Sequence, residues 1–396
     1  MLPRRQFLRL SALAGGALLL PSGCAIVPGG VPTKTAAGRA DTLLLVEFQG
    51  GNDGLNTVAP ISDPLYRKLR PTLALSEAEA LPVGRDLALH PALKSAMDLW
   101  SAGDMAVLLG VGYPQPDRSH FRSIDIWDTA SDADRVLTSG WITRALLAQP
   151  RPRTADAFVL GRPHLGPVTG QGIKAVSLSN PGAFAKAATA VSIPEQLRRN
   201  PVLDQISAVQ GTLRVAGDDI QAKLKIVPAS LTADFPKTNL GAQFADALRL
   251  LAAGVDAPVI KLSLGSFDTH IDQAPQHARL LGDFASALTA FRKAAQSAGL
   301  WDKVIVLTYS EFGRRPAENG SKGTDHGTAA PHFLAGGSVR GGLIGTQPAL
   351  DTLVNDDLVH TMDFRQVYAS LLQGLWGLDA GAVLGKKVEP VAGLVA

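Results

Sequence analysis

The stretch that most constrains this chain runs from Val304 to Phe333, VIVLTYSEFGRRPAENGSKGTDHGTAAPHF. Its first five residues, Val304 to Thr308, form a strand-length run that reads as apolar on both faces. Such a strand lies central in a sheet covered on both sides, and its carboxyl end opens into a crevice where ligands bind. Glu311, Arg314, Asp325 and His326 crowd just beyond that end. Together they offer carboxylate and imidazole ligands for a divalent metal and a guanidinium for an oxyanion. A surface salt-bridge cluster would use the same residue types. Their concentration after a buried strand favours chemistry.

At 396 residues the chain can bury a large core, as one elaborated α/β domain or as two domains. A hydrophobic content of 46% against 18% charged residues reads as globular. The formal charge of +3 is mild and comes without a long basic run, so nucleic-acid binding is not expected. Forty glycines and twenty-six prolines predict many turns and long connections, which suits a site built from loops.

The N-terminus sets the expected compartment. Arg4 and Arg5 precede Phe7 and Leu8, a weakly apolar run to Leu20 and a small-residue region ending at Cys24. Residues 1–24 therefore resemble a twin-arginine export signal, too short and too glycine-containing to span a membrane. That route carries proteins already folded, which mildly favours a metal or redox centre. Periplasm or cell envelope is the expected location. Cys24 is the only cysteine, so no intrachain disulfide and no cysteine-ligated metal cluster can form. The sequence Leu20-Pro21-Ser22-Gly23-Cys24 resembles a lipoprotein cleavage box, with Pro21 where a bulky aliphatic is usual. A lipid anchor at Cys24 is the one membrane attachment expected. Residues 25–40 read as a flexible tether and 41–396 as a single domain.

Along that domain, Thr42 to Phe48 is an apolar strand followed by the turn-rich GGNDGLNT, which places Asp53 beyond a strand end. Gly50, Gly51 and Gly54 allow close backbone approach or positive φ. Helical spacing over Pro91 to Ala102 precedes a second strand, Met105 to Gly112. Ser119 follows at a helix N-terminus, where amides and dipole favour an anion, although serine is also an ordinary N-cap there. Further strands fall near Ala157 to Leu160 and Ile173 to Leu178, with amphipathic helices over Pro201 to Ile226 and Ala242 to Ala253. The strand Val259 to Leu264 delivers Asp268 and His270, and His277 opens a long helix to Ala298. Beyond Phe333, AGGSVRGG and IGTQP predict a β-hairpin over the site, before a last helix through Tyr368, Leu371, Leu372 and Trp376. The βαβ alternation predicts a largely parallel sheet with helices on both faces.

The motifs GGNDGLNTV, RSHFRSIDIW, FDTHIDQ, SEFGRR, ENGSKGTDHGTAAPHFLAGG and DFRQVYASLL together resemble the exported bacterial family catalogued as domain of unknown function 1501. That family lies within the alkaline phosphatase and sulfatase superfamily. The resemblance spans Leu44 to about Leu372 and implies a three-layer α/β/α sandwich, alkaline phosphatase-like, around a mostly parallel sheet. It also implies roles. Asp53 resembles the first-strand metal ligand and Ser119 the helix-capping nucleophile. Asp268 with His270 is similar to the ligand pair of one metal, at a spacing of two where four is usual, so His277 or an open position would complete the set. Asp325-His326 resembles the superfamily's second pair. By order of elements, however, Glu311 takes the second-metal place and His326 the later histidine. His332 and His360 read as structural.

The expectation is an exported hydrolase of phosphate or sulfate esters, small or glycan-borne, dependent on zinc, manganese or magnesium. Ser119 attacks, Asp53, Asp268, His270, Glu311, Asp325 and His326 hold metal, and Arg314 orients the oxyanion. The rival is a periplasmic or surface protein that keeps the fold, with a degenerate metal site, and binds an anionic glycan or a partner protein without turnover; Arg314, Arg118 and Asn319 would then bind an anion directly.

Overall fold

The structure is a computed structural model, which describes residues 40–153, 155–161, 163–178 and 217–395. The export signal, Cys24, most of the tether and most of the helix expected over Pro201 to Ile226 lie outside the described residues; 217–224 are helical.

Twelve strands occur among the described residues. They are β1 (Thr42–Phe48), β2 (Val58–Ala59), β3 (Leu81–Pro82), β4 (Ala88–Leu89), β5 (Met105–Gly112), β6 (Ala157–Leu160), β7 (Ala175–Leu178), β8 (Val259–Leu264), β9 (Val304–Tyr309), β10 (Ala330–Gly336), β11 (Gly342–Ile344) and β12 (Met362–Asp363). Nine of them form one sheet in the order β11-β5-β10-β9-β1-β8-β6-β7, with β12 also against β5. The pairings are parallel except the two made by β10. β2, β4 and β3 make a small separate sheet.

The apolar runs become central strands because both of their faces are covered. Leu44, Val46 and Phe48 of β1 pack toward Phe244 of the helix Asn239–Ala252 and toward Leu280, Phe284 and Leu288 of the helix Gln273–Ser297. Leu43 and Leu45 point the other way, toward Ile126 and Trp127 of the helix His120–Thr129 and Tyr368 of the helix Phe364–Trp376. Alternate side chains of one strand thus feed two cores, as a period of two requires. This is the three-layer α/β/α sandwich with a mostly parallel sheet that the sequence implies. No helix among the described residues is long and apolar enough to cross a membrane.

Three local expectations are revised. The hairpin after Phe333 does not form: β11 leaves β10 and pairs in parallel with β5 on its other side, Gly342 opposite Ala106. It therefore lies at the sheet edge beside the amino end of β5, away from the strand ends that carry the candidate residues. The long helix begins at Gln273 rather than His277, because the amides of Asp272 and Gln273 are taken by the carbonyls of Ser321 and Lys322. The segment after His90 begins as a 3-10 helix, Pro91–Ala96, and becomes α-helical only at Met97–Ser101.

Candidate metal centre

β1, β8 and β9 run side by side and in parallel, so their carboxyl ends lie together. The loops that leave them carry Gly50, Asp268 and Glu311. Gly50 (φ +113°) and Gly51 (φ +77°) adopt the left-handed region, and a Cβ on Gly50 would stand 2.3 Å from the Asp268 amide. A Cβ on Gly51 would lie 2.4 Å from the Phe312 ring. The glycine pair therefore lets two loops close on one another, with buried Phe312 tilted against His120 and His326 at 4.9 and 4.7 Å between centroids.

Above that floor three imidazoles surround one carboxylate. His270 Nε2 lies 3.0 Å and His326 Nε2 3.2 Å from Asp268 Oδ1, while His120 Nε2 lies 3.5 Å from Oδ2. The ligand atoms of His120, Asp268 and His326 all fall within 4.8 Å of one another, and the Nε2 atoms of His270 and His326 are 3.1 Å apart. The opposite ring nitrogens are also engaged. His120 Nδ1 donates to Glu311 Oε1 at 2.8 Å, His270 Nδ1 to Asp325 Oδ1 at 3.2 Å, and His326 Nδ1 to the Arg118 carbonyl at 2.9 Å.

A carbonyl or carboxylate only accepts, so each Nδ1 carries a proton; each Nε2 faces the Asp268 carboxylate and would present a lone pair to a divalent ion held between them. His120, Asp268 and His326, with His270 beside them, make a nitrogen and oxygen donor set suited to zinc or a similar divalent ion. Backing of each ligating histidine by a carboxylate or carbonyl is how metal sites orient their rings and raise ligand basicity.

The hydrogen bond to Glu311 raises the His120 pKa against the opposing effect of burial. Burial lowers that of His326, partly offset by the Arg118 carbonyl and Asp268. Asp268 is pushed up by partial burial but brought down to about 2 by Arg314, with help from His326. It stays a carboxylate at any working pH. Asp325 is lowered chiefly by the Asn319 side-chain amide.

Residues 111–380 match the family described as "Protein of unknown function (DUF1501)". The chain belongs to that family. Every residue of the imidazole cluster and its backing partners falls inside the matched span, whereas Asp53 precedes it. No curated protein matches this DUF1501 chain. Among solved structures, it is similar to the PsFucS1 sulfatase from Pseudoalteromonas sp., at 12% identity and TM-score 0.37 over 90% of this chain and 72% of that one. It is also similar to the lipoteichoic acid synthase LtaP from Listeria monocytogenes, at 9% identity and TM-score 0.36 over 93% and 78%. A third likeness is to TAB5 alkaline phosphatase, at 9% and 0.35 over 77% and 94%.

The remaining sequence candidates sit as follows in this DUF1501 chain. Glu311 and Asp325 touch the centre through histidine Nδ1 atoms. Asp53 is fully buried and is not among the residues whose ligand atoms cluster; its Oδ2 is held by Arg70 Nη1 at 2.5 Å and by the Gln273 amide. Burial raises its pKa and Arg70 more than reverses this. Its Oδ1 has no hydrogen-bond partner, nor does Nδ1 of buried His277. Arg314 is sealed from solvent and donates to the carbonyls of Gly50, Gly51, Phe267 and Thr324 and to Asp268 Oδ1. Ser119 is the exposed N-cap of the helix His120–Thr129 and makes no side-chain cap bond, its own amide going to Asp117 Oδ1 at 2.7 Å. His332 and His360 lie outside the cluster; His332 is buried in β10 beside Trp127.

His120 is the residue that sequence reasoning passed over. Its only local signal is its place after Ser119, in the first turn of a helix that follows a buried strand. Gln273 was also missed. Its carbonyl accepts from Thr269 and Thr324 while its amide holds Asp53, so it links the two loops that carry Asp268, His270, Asp325 and His326. If the centre takes a divalent ion, Glu311→Gln is expected to weaken its affinity about 10- to 100-fold, the usual cost of losing a carboxylate behind a ligating histidine. Competition titration against a chelating dye would read it.

Proposed function

We propose that this chain is an exported, metal-dependent hydrolase of phosphate or sulfate esters. The observation that carries the reading is the convergence of three imidazole Nε2 atoms on the Asp268 carboxylate, with all three Nδ1 atoms tied to acceptors. His120, Asp268, His270 and His326 would hold one divalent ion, zinc, manganese or magnesium. Glu311, Asp325 and the Arg118 carbonyl would orient the rings. When bound, the ion would polarise the ester and offset charge on the attacking oxygen.

The chain's own groups do the rest. Ser119 precedes ligand His120 directly, and its hydroxyl is free of the cap bond that N-cap serines commonly make. The helix it caps presents its first amides and positive dipole end at the same place, a suitable seat for an anionic ester. Arg118 is half-exposed and bonded to Asp357 at 3.1 Å, so its guanidinium can reach an ester oxygen from the rim. Arg314, being sealed, would act by holding Asp268 rather than by touching the oxyanion. The export signal of residues 1–24 would place this chemistry in the periplasm or cell envelope, with Cys24 as a lipid anchor if its box is used.

A second reading is an anion-binding protein without turnover. It is favoured by the guanidinium of Arg70, which neutralises Asp53 and leaves one metal centre where the superfamily resemblance implies two.

Elemental analysis of natively folded, exported protein tests the centre: one equivalent of zinc, manganese or magnesium is expected, and less than a tenth of it in His326→Ala. A chain without metal ends the metallohydrolase reading. Ser119→Ala separates the two functions. A hydrolase should lose at least about 100-fold in turnover of phosphate or sulfate esters, while a binding protein shows no turnover to lose and keeps its affinity.

A further inference from the structure

A second opening lies beside the carboxyl half of β8, the strand whose following loop carries Asp268. β6 pairs with β8 at Phe158 opposite Ile260 and Val159 opposite Lys261, so among the described residues the carboxyl half of β8 has no strand on that side. The Gln243 side chain stands in for one, accepting from the Ser263 amide at 2.8 Å and donating to its carbonyl at 3.0 Å. Gly161, at φ +86°, turns β6 away, and a Cβ there would meet the Gln243 amide at 2.8 Å. The gap thus held open is a cleft of about 720 Å³ between the helices Asn239–Ala252 and Gln273–Ser297.

Its lining differs from the metal centre. Asp246 and Asp283 offer acceptors, Asn239 and Arg279 offer donors, and Leu240 and Leu280 supply an apolar surface. Arg279 is 3.5 Å from Asp283 and Arg249 3.9 Å from Asp246, so each carboxylate has a cationic neighbour. Burial raises the pKa of Asp246 to about 6. With each carboxylate matched by an arginine the cleft carries no excess charge to hold a phosphate or sulfate group. A ligand that both donates and accepts, with an apolar C–H face, satisfies the whole set. Ser266, on the cleft wall, is held at φ +82°, a costly conformation for a residue with a Cβ, and Asp268 follows two residues later, at most about 7 Å of chain away.

We infer that this cleft binds the polyhydroxylated, uncharged part of the substrate, a sugar ring whose ester group lies at the metal centre. The inference rests on the ester-hydrolase reading for the orientation it assigns, but not for binding in the cleft. The charge-matched cleft gives the anionic end no advantage and a divalent ion at the imidazole centre would draw it in, so the two sites together set the direction of the ligand.

The test uses the whole chain, glucose 6-sulfate as probe, and Ala242→Trp, which fills the cleft from an exposed position outside the catalytic machinery. Saturation-transfer NMR should show ring-proton signals that persist in Ser119→Ala and fall at least fivefold in Ala242→Trp. Asp283→Ala, a smaller change, should fall in the same direction and guards against misfolding of the tryptophan variant. Signals that ignore both cleft variants, or no signal from the unmodified chain, overturn the inference. In parallel, 4-nitrophenyl sulfate and phosphate lack the sugar, and their turnover should be unchanged in Ala242→Trp. A cleft-dependent sugar signal without any turnover would refute the hydrolase and keep the cleft; turnover without that signal would do the reverse.

Discussion

Asp53→Asn is expected to leave one equivalent of metal in place and to cost about 3–5 kcal/mol of stability, because it strips a buried guanidinium of its counter-charge. Both side chains of the Asp53 and Arg70 pair are sealed from solvent. Arg70 also donates to the carbonyls of Pro316 and Arg315 at 2.8 and 3.0 Å and to Asn56 Oδ1 at 2.9 Å, so it cannot swing out to find water. Arg70→Met alone should cost a similar amount by stranding Asp53. The double variant Arg70→Met with Asp53→Leu should recover most of the loss, since apolar replacement of a buried pair is often neutral. Denaturant melts read the stability and elemental analysis the metal. Metal lost in step with Asp53 would put that carboxylate, and its unpartnered Oδ1, back in a metal shell.

Arg314→Met should be the most damaging single change near the centre. Its guanidinium ties together the loops after β1, β8 and β9, through carbonyls of Gly50, Gly51, Phe267 and Thr324 and the carboxylate of Asp268. Removing it leaves buried acceptors unpaired at about 1–3 kcal/mol each before relaxation, and a net loss of at least about 3 kcal/mol is expected. Zinc affinity should fall with it, because Asp268 loses the partner that holds it in place. Arg314→Lys should not rescue either property, since an ammonium cannot reproduce a planar five-donor fork. Stability within about 1 kcal/mol of the parent in the methionine variant would show that the loops hold themselves.

How much of this was legible follows from the kind of signal each part leaves. β1, β5 and β8 were read at their observed boundaries because an unbroken apolar run bounded by turn residues has few other uses. The small strand β11 was misassigned to a hairpin, because glycine-rich sequence marks a turn without saying which neighbour the chain meets next. The loops at the strand ends stand out in the sequence, yet the sorting of their residues does not. Whether a carboxylate meets a metal, an imidazole Nδ1 or a guanidinium depends on partners far along the chain. Asp53 meets Arg70, a residue in a stretch with little periodicity, and Glu311 meets His120. His120 itself carries no motif. It becomes visible only when the helix it opens is set beside β9, through Ser123 donating to the Glu311 carbonyl.

The strand order has a kinetic meaning. β1, first of the described strands, lies between β8 and β9, with Leu43 opposite both Val259 and Ile305. Its partners therefore come late in synthesis, and such long-range pairings close slowly because a large loop must be ordered first. The imidazoles meet only after those pairings exist. A divalent ion in this centre would then act as a seal on a finished chain, slowing its unfolding while contributing little to the search that precedes it.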